Sequence, residues 1–129
     1  MPEEGWTYAR SGVDISKVRA AQRSIAKLLA GTHELRRGKF GEVLSQIGLY
    51  AGLIDIGGGR AIALHADGVG TKVLVAQLMD RFDTVGVDCV AMNVNDLICV
   101  GAEPVALVDY LVVERLDESM VSEIMRGLA

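Results

Sequence analysis

The sequence is short of proline, cysteine and aromatic residues, with two prolines, two cysteines and 5% Phe, Trp and Tyr in 129 positions. Cys89 and Cys99 sit in apolar surroundings and form neither a CxxC pair nor a Cys/His cluster. They lend no support to a disulfide framework or a zinc site and read as small core residues of a reducing compartment. No apolar run approaches the ~20 residues needed to cross a bilayer. The start, Met1-Pro2-Glu3-Glu4, lacks the basic and apolar regions of a signal peptide, so a cytoplasmic location is expected. Positive charge is also short, 13 Lys and Arg against 17 Asp and Glu for a net charge of -4. No global field draws this chain onto nucleic acid or a membrane surface, and any anion it binds must be held by a local device.

Half of the residues are apolar and 23% are charged, the composition of a folded globular chain. The length suits one domain, which buries about two-thirds of its unfolded surface. The 15 glycines are unevenly spread. Gly57-Gly58-Gly59 lies between Leu53-Ile54-Asp55-Ile56 and the run Arg60 to Ala66, and so reads as the turn of a β-hairpin. Asp67-Gly68-Val69-Gly70 follows a strand and precedes a helical pattern from Thr71 to Asp80, a connection where backbone amides can face an anion. A further glycine pair brackets Gly48-Leu49-Tyr50-Ala51-Gly52.

The rest of the chain supplies a polar, irregular start over residues 1 to 13 and a helix capped by Asp14 or Ser16, with Val18, Ala21, Ile25, Leu28 and Leu29 on one stripe and Gly31 as its stop. Residues 32 to 47, with the basic cluster Arg36, Arg37 and Lys39, read as a loop with a short helix. Asp83-Thr84 caps a helix to Val100 that ends at Gly101. Val105 to Val113 reads as an apolar strand and Asp117 to Leu128 as a helix still running at the chain's end. The order suits an α+β fold, a mixed sheet with helices on one face, rather than a doubly wound sheet, because the hairpin forces an antiparallel pair and no GxGxxG opens a βα unit. Strands 60 to 66 and 105 to 113 do not alternate, so both of their faces need cover, one from helices and one from a second subunit.

Three features bear chemistry. In Asp67-Gly68-Val69-Gly70-Thr71-Lys72, the aspartate suits Mg²⁺, the glycines allow close backbone approach, Thr71 offers a donor and Lys72 a point charge for phosphate. The spacing is not that of a Walker A loop, and the same residues also suit an ordinary capped turn with a solvated lysine. Asp88, Asn93, Asn95 and Asp96 interrupt the apolar run Val85 to Val100. On a helix, Asp88 and Asn95 lie about 20° apart and Asp96 about 80° from Asp88, so they share a side. Such carboxylates call for a cation or substrate, or for Arg or Lys partners elsewhere, unless the stripe is exposed. His65 suits a hydrogen-bonded core histidine or a substrate contact. The basic cluster reads as a solvated face or a phosphate clamp, and Met79, Met92, Met120 and Met125 as core filler. No Ser/His/Asp or Cys/His arrangement points to covalent catalysis.

Four blocks in register carry a resemblance: Tyr8-Ala9-Arg10-Ser11-Gly12-Val13-Asp14-Ile15, Asp67 to Lys72, Gly86-Val87-Asp88-Cys89-Val90-Ala91-Met92-Asn93-Val94-Asn95-Asp96-Leu97, and Gly101-Ala102-Glu103-Pro104. Over nearly its whole length the chain resembles the N-terminal half of the aminoimidazole ribonucleotide synthetases, the phosphoribosylformylglycinamidine cyclo-ligases of purine biosynthesis. The resemblance implies an ATP-dependent ring closure of formylglycinamidine ribonucleotide, with phosphoryl transfer to the amide oxygen and displacement of phosphate by the neighbouring nitrogen. It implies Lys72 and Asp96 as catalytic residues, Gly68, Gly70, Thr71, Lys72 and Asn95 along the ATP phosphates, and Asp67, Asp96 and Asp88 at Mg²⁺. It also implies an N-terminal domain whose sheets pair into a barrel across a homodimer. Family members are longer and carry a second domain over the cleft, so residues 1–129 are expected to be the ATP-binding and dimerisation domain without its C-terminal partner, inactive alone as a cyclo-ligase. The 31–47 region lacks the family's glycine-dense run. A scaffold module without nucleotide affinity of its own, or a related ATP-dependent kinase of the superfamily, stays open.

Overall fold

The computed structural model describes residues 7–8 and 12–129. Most of the irregular start expected for residues 1 to 13, and positions 9 to 11 of the first resemblance block, lie outside the described residues. The element order is α1 (Ile15–Glu34), β1 (Gly52–Gly57), β2 (Arg60–Leu64), α2 (Lys72–Met79), α3 (Asp83–Cys99) and α4 (Glu118–Leu128). This is an α+β chain.

Asp14 caps α1 as its position predicts, its carboxylate accepting from the amides of Ser16 and Lys17 at 2.9 and 3.2 Å. The helix does not stop at Gly31 but runs on to Glu34. A mid-helix glycine costs only about 1 kcal/mol, which the surrounding helix formers offset. Beyond it, residues 35 to 41 form successive turns instead of the expected short helix, and the cluster there is tied locally: Arg36 donates to the Phe40 carbonyl, Arg37 to Glu34 and Lys39 to the Leu35 carbonyl.

The hairpin is as expected. β1 and β2 pair antiparallel, Gly52 opposite Leu64 and Ile54 opposite Ile62, and Gly57, Gly58 and Gly59 all take positive φ in the turn. The mixed sheet is not found: among the described residues the sheet has these two antiparallel strands, with an isolated bridge from Val43 to Ile54. Val105 to Val113 forms no ladder, because a strand exists only against a partner backbone and none within the described chain lies beside it. Val105 is 91% exposed and Val108 94%.

α3 and α4 form the main helical packing, with α2 joined less extensively to α3. Their crossing is built on two glycines. A Cβ at Gly86 would meet the Ile124 carbonyl oxygen and lie 2.6 Å from the Gly127 carbonyl carbon, and one at Gly127 would meet the Asp83 carbonyl oxygen. The buried residues Val85, Ile124 and Ala76 mark this small core. Asp117 caps α4 through its Met120 amide at 2.9 Å, and the Phe82 amide donates to Glu123 of α4 at 2.9 Å. α3 begins one position from its expected cap, with Phe82 at the cap and Asp83 inside the first turn. Gly101 ends it at φ 75°, the left-handed terminator read from the sequence.

Candidate functional site

The connection from β2 to α2 lies along α3, and three contacts hold it there. His65 Nε2 stands 3.4 Å from Asp96 Oδ2. The Asp67 amide donates to Asn93 Oδ1 at 3.0 Å, and Asn93 Nδ2 donates back to the Asp67 carbonyl at 3.1 Å. Lys72 Nζ stands 3.3 Å from Asp88 Oδ1 and 3.7 Å from Met92 Sδ. Residues 65, 67 and 72 thus meet 96, 93 and 88, so the loop descends α3 antiparallel to it in nearly constant register.

Each contact has a local cause. Asn93 is the buried polar residue of α3, 8% exposed, and an unmet amide there would cost about 1–3 kcal/mol. Its bonds to Asp67, and a further donation to the Cys89 carbonyl at 2.9 Å, satisfy it. His65 is anchored at its other nitrogen, Nδ1 lying 2.5 Å from the Tyr50 carbonyl oxygen, an acceptor that requires the proton on Nδ1. Nε2 is buried, stands 3.4 Å from Asp96 Oδ2 and makes no hydrogen bond. His65 thus makes the hydrogen bond expected of the first of the two roles that its position in the sequence allowed.

The loop between these anchors is open. Gly68 donates to its neighbour Asp67 Oδ1 at 2.8 Å, Gly70 takes φ 61°, and Thr71, at the cap of α2, makes no side-chain capping bond. Gly68, Gly70, Thr71 and Lys72 are all exposed, as is Asn95 on α3. Amides, a hydroxyl and an ammonium are thus presented along one short stretch. That combination can receive an anion.

The three candidate metal ligands are drawn into different contacts: Asp67 to the Gly68 amide, Asp88 to Lys72 and Asp96 to His65. Among the described residues no group of three or more His, Cys, Asp or Glu is placed to hold a metal ion. Asn93 is the residue whose importance the sequence left understated. Its signal was present, a polar side chain in an apolar helical run. An open groove of about 260 Å³, lined by His33, Val43, Ile47, Ala51, Ile54 and Leu64 among others, lies elsewhere and takes nothing from the 67–72 loop.

Comparison with known proteins now bears on this loop. Residues 48–129, the hairpin, the loop and all three helices after it, match the family described as AIR synthase related protein, N-terminal domain. This chain belongs to that family. It is 56% identical over 122 residues to the phosphoribosylformylglycinamidine cyclo-ligase of Thermococcus kodakarensis, covering 95% of this chain and 36% of that protein. The cyclo-ligase of Pyrococcus furiosus is 51% identical over 122 residues, with the same shares covered. That of Methanosarcina barkeri is 50% identical over 128 residues, 99% of this chain and 37% of that one. The chain thus spans a little over a third of the length of these curated relatives. No solved structure matches it. Among the described residues no helix is long and apolar enough to cross a membrane.

Proposed function

We propose that this chain is the nucleotide-binding N-terminal part of a phosphoribosylformylglycinamidine cyclo-ligase, acting in the cytoplasm in purine biosynthesis. The observation that carries the reading is the clamp of Asn93 on both backbone groups of Asp67, which fixes the start of the Asp67–Lys72 loop on α3 while Gly68, Gly70, Thr71 and Lys72 stay exposed. In the ring closure, ATP phosphorylates the amide oxygen of formylglycinamidine ribonucleotide, and the neighbouring nitrogen displaces phosphate. Positioning and charge neutralisation dominate such a step. Gly68, Gly70 and Thr71 line the phosphates, Asn95 borders them, and Lys72 supplies a point charge.

Carboxylates are the hard oxygen donors that Mg²⁺ takes, and this ion is usually held by one or two of them together with substrate phosphates rather than by an all-protein cage. Asp67 and Asp96 fit such a shared ion, since Asp96 lies three residues beyond the Asn93 that fixes Asp67. Mg²⁺ there would neutralise developing phosphate charge. Asp96 lies beside His65, and Lys72 orients the terminal phosphate.

The test is calorimetric titration of the chain with a non-hydrolysable ATP analogue, with and without Mg²⁺. Saturable, Mg²⁺-dependent binding is expected, weakened about tenfold or more by Lys72→Met, the loss of one charge-assisted hydrogen bond, and lowered also by Asp96→Asn. A folded chain that gives no heat would end the reading.

One observation favours a scaffold role as well. The chain exposes 10518 Å², against about 6,600 Å² for a compact protein of its mass. Leu64, Val105, Val108 and Tyr110 contribute to that excess. The reading adds a homodimer in which sheets pair into a barrel, with residues 105 to 113 as the strand that completes them. Sedimentation showing only monomer at high concentration would remove it.

A further inference from the structure

We infer that Asp88 is a charge filter that biases the Asp67–Lys72 loop toward oligophosphates that bring their own divalent cation, an inference that rests on the nucleotide-binding reading above. Lys72 is the cation of this loop, and its ammonium is not free: Asp88 Oδ1 stands 3.3 Å away. Along the loop and the α3 face that it follows stand three carboxylates, Asp88 at the ammonium, Asp96 at His65 and Asp67 at the Gly68 amide, against that one ammonium. His65 is oriented by the Tyr50 carbonyl, and Arg81, the next cation along the chain, is spent on Asp83 at 2.9 Å. The surface that presents anion-binding amides is therefore net negative.

A bare triphosphate or pyrophosphate meets repulsion there, and must also compete with Asp88 for the ammonium. An oligophosphate carrying Mg²⁺ meets neither obstacle to the same degree, because the ion offsets the carboxylates and leaves Asp88 paired with Lys72. Asp88 differs from Asp67 and Asp96 in this respect. It is tied to the one residue of the loop that attracts phosphate, so its charge weighs on ligand selection rather than on holding the ion.

The experiment compares the wild-type chain with Asp88→Asn at low salt, titrating inorganic pyrophosphate and a non-hydrolysable ATP analogue with and without Mg²⁺. Asp88→Asn is expected to strengthen Mg²⁺-free binding by about fivefold, the scale of one unit charge at ~4 Å in water, while Mg²⁺-loaded binding changes by less than about twofold. If the variant loses Mg²⁺-loaded binding and keeps Mg²⁺-free binding unchanged, Asp88 is an ion ligand and the filter is wrong. Equal weakening of both, or no change in either, also overturns it. A wild-type chain that binds no Mg²⁺-loaded analogue removes the nucleotide reading itself, a result distinct from the others. Should Asp88→Asn fail to fold, the wild type still decides. Its Mg²⁺-free affinity should rise as salt is raised from about 0.02 to about 0.2 M, because screening relieves repulsion, and a fall would overturn the proposal.

Discussion

Asn93 holds Asp67 by both of its backbone groups, accepting from the amide at 3.0 Å and donating to the carbonyl at 3.1 Å. The side chain thus pairs with Asp67 as a neighbouring strand would, although it comes from a helix. Asn93→Asp keeps the acceptor but replaces the donor with an oxygen that faces the carbonyls of Asp67 and Cys89. It is expected to cost about 2–3 kcal/mol in urea unfolding, and to weaken binding of the Mg²⁺-loaded ATP analogue. Unchanged stability would mean that the loop is held by other contacts.

The α3–α4 crossing makes a separate prediction, on packing alone. Gly86→Ala and Gly127→Ala each place a methyl group against backbone that cannot turn aside. Overpacking of this kind costs about 1–3 kcal/mol, and these two sites belong at or above its upper end. Thermal melts followed by circular dichroism should show both variants well below the wild type. Gly31→Ala serves as the control, because a Cβ there meets open space within α1.

Acid should loosen the helix starts. The Ser16 hydroxyl and the Lys17 amide hold the Asp14 carboxyl below its ordinary value, and the Ser119 hydroxyl and Met120 amide do the same for Asp117. Arg81 likewise lowers Asp83. For a lowered folded-state pKa, the stabilising contribution is complete above the unfolded value, near 3.8, and disappears as pH falls through the lower folded values. Helical signal at 222 nm should therefore hold down to about pH 4 and then decline. In Asp14→Asn with Asp117→Asn that acid limb should be shallower.

The apolar 105–113 segment predicts association. Val108 is 94% exposed and Tyr110 92%, an arrangement that water disfavours in a lone chain. Val108→Asp should lower the weight-average mass in sedimentation equilibrium relative to the wild type. If the two chains sediment alike, the segment is not where copies meet.

Where structure depends on neighbours in sequence, the chain declares it. The stripe from Val18 to Leu29, the three glycines of the hairpin, the Asp117 cap and Gly101 each express a short-range rule, and each element stands where that rule puts it. Gly31 misleads because a stop signal is only a cost, and a long helix can absorb it. Val105 to Val113 misleads for a different reason. Its composition fits a strand, but pairing is a property of two segments, and no described segment lies beside it. The site divides in the same way. That Asp67 to Lys72 connects a strand to a helix was legible, and so was the shared side of Asp88 and Asn95. That Asp88 would answer Lys72, Asp96 answer His65 and Asn93 take the Asp67 backbone was not, since each joins residues 16 to 31 positions apart.

The three loop contacts along α3 are unequal in their access to water. Asn93 is buried and the His65 side chain is 12% exposed, while the Lys72 and Asp88 side chains are 50% and 40% exposed. The connection therefore behaves like a gangplank bolted at one end. Its Asp67 end is tied to α3 through a buried side chain, whereas the Lys72 ammonium, at the first residue of α2, rests on a contact that water and salt can exchange. Gly68 and Gly70 are the joints between them, and Gly70 already sits at φ 61°. The Lys72 ammonium can exchange Asp88 for water without disturbing the bolt.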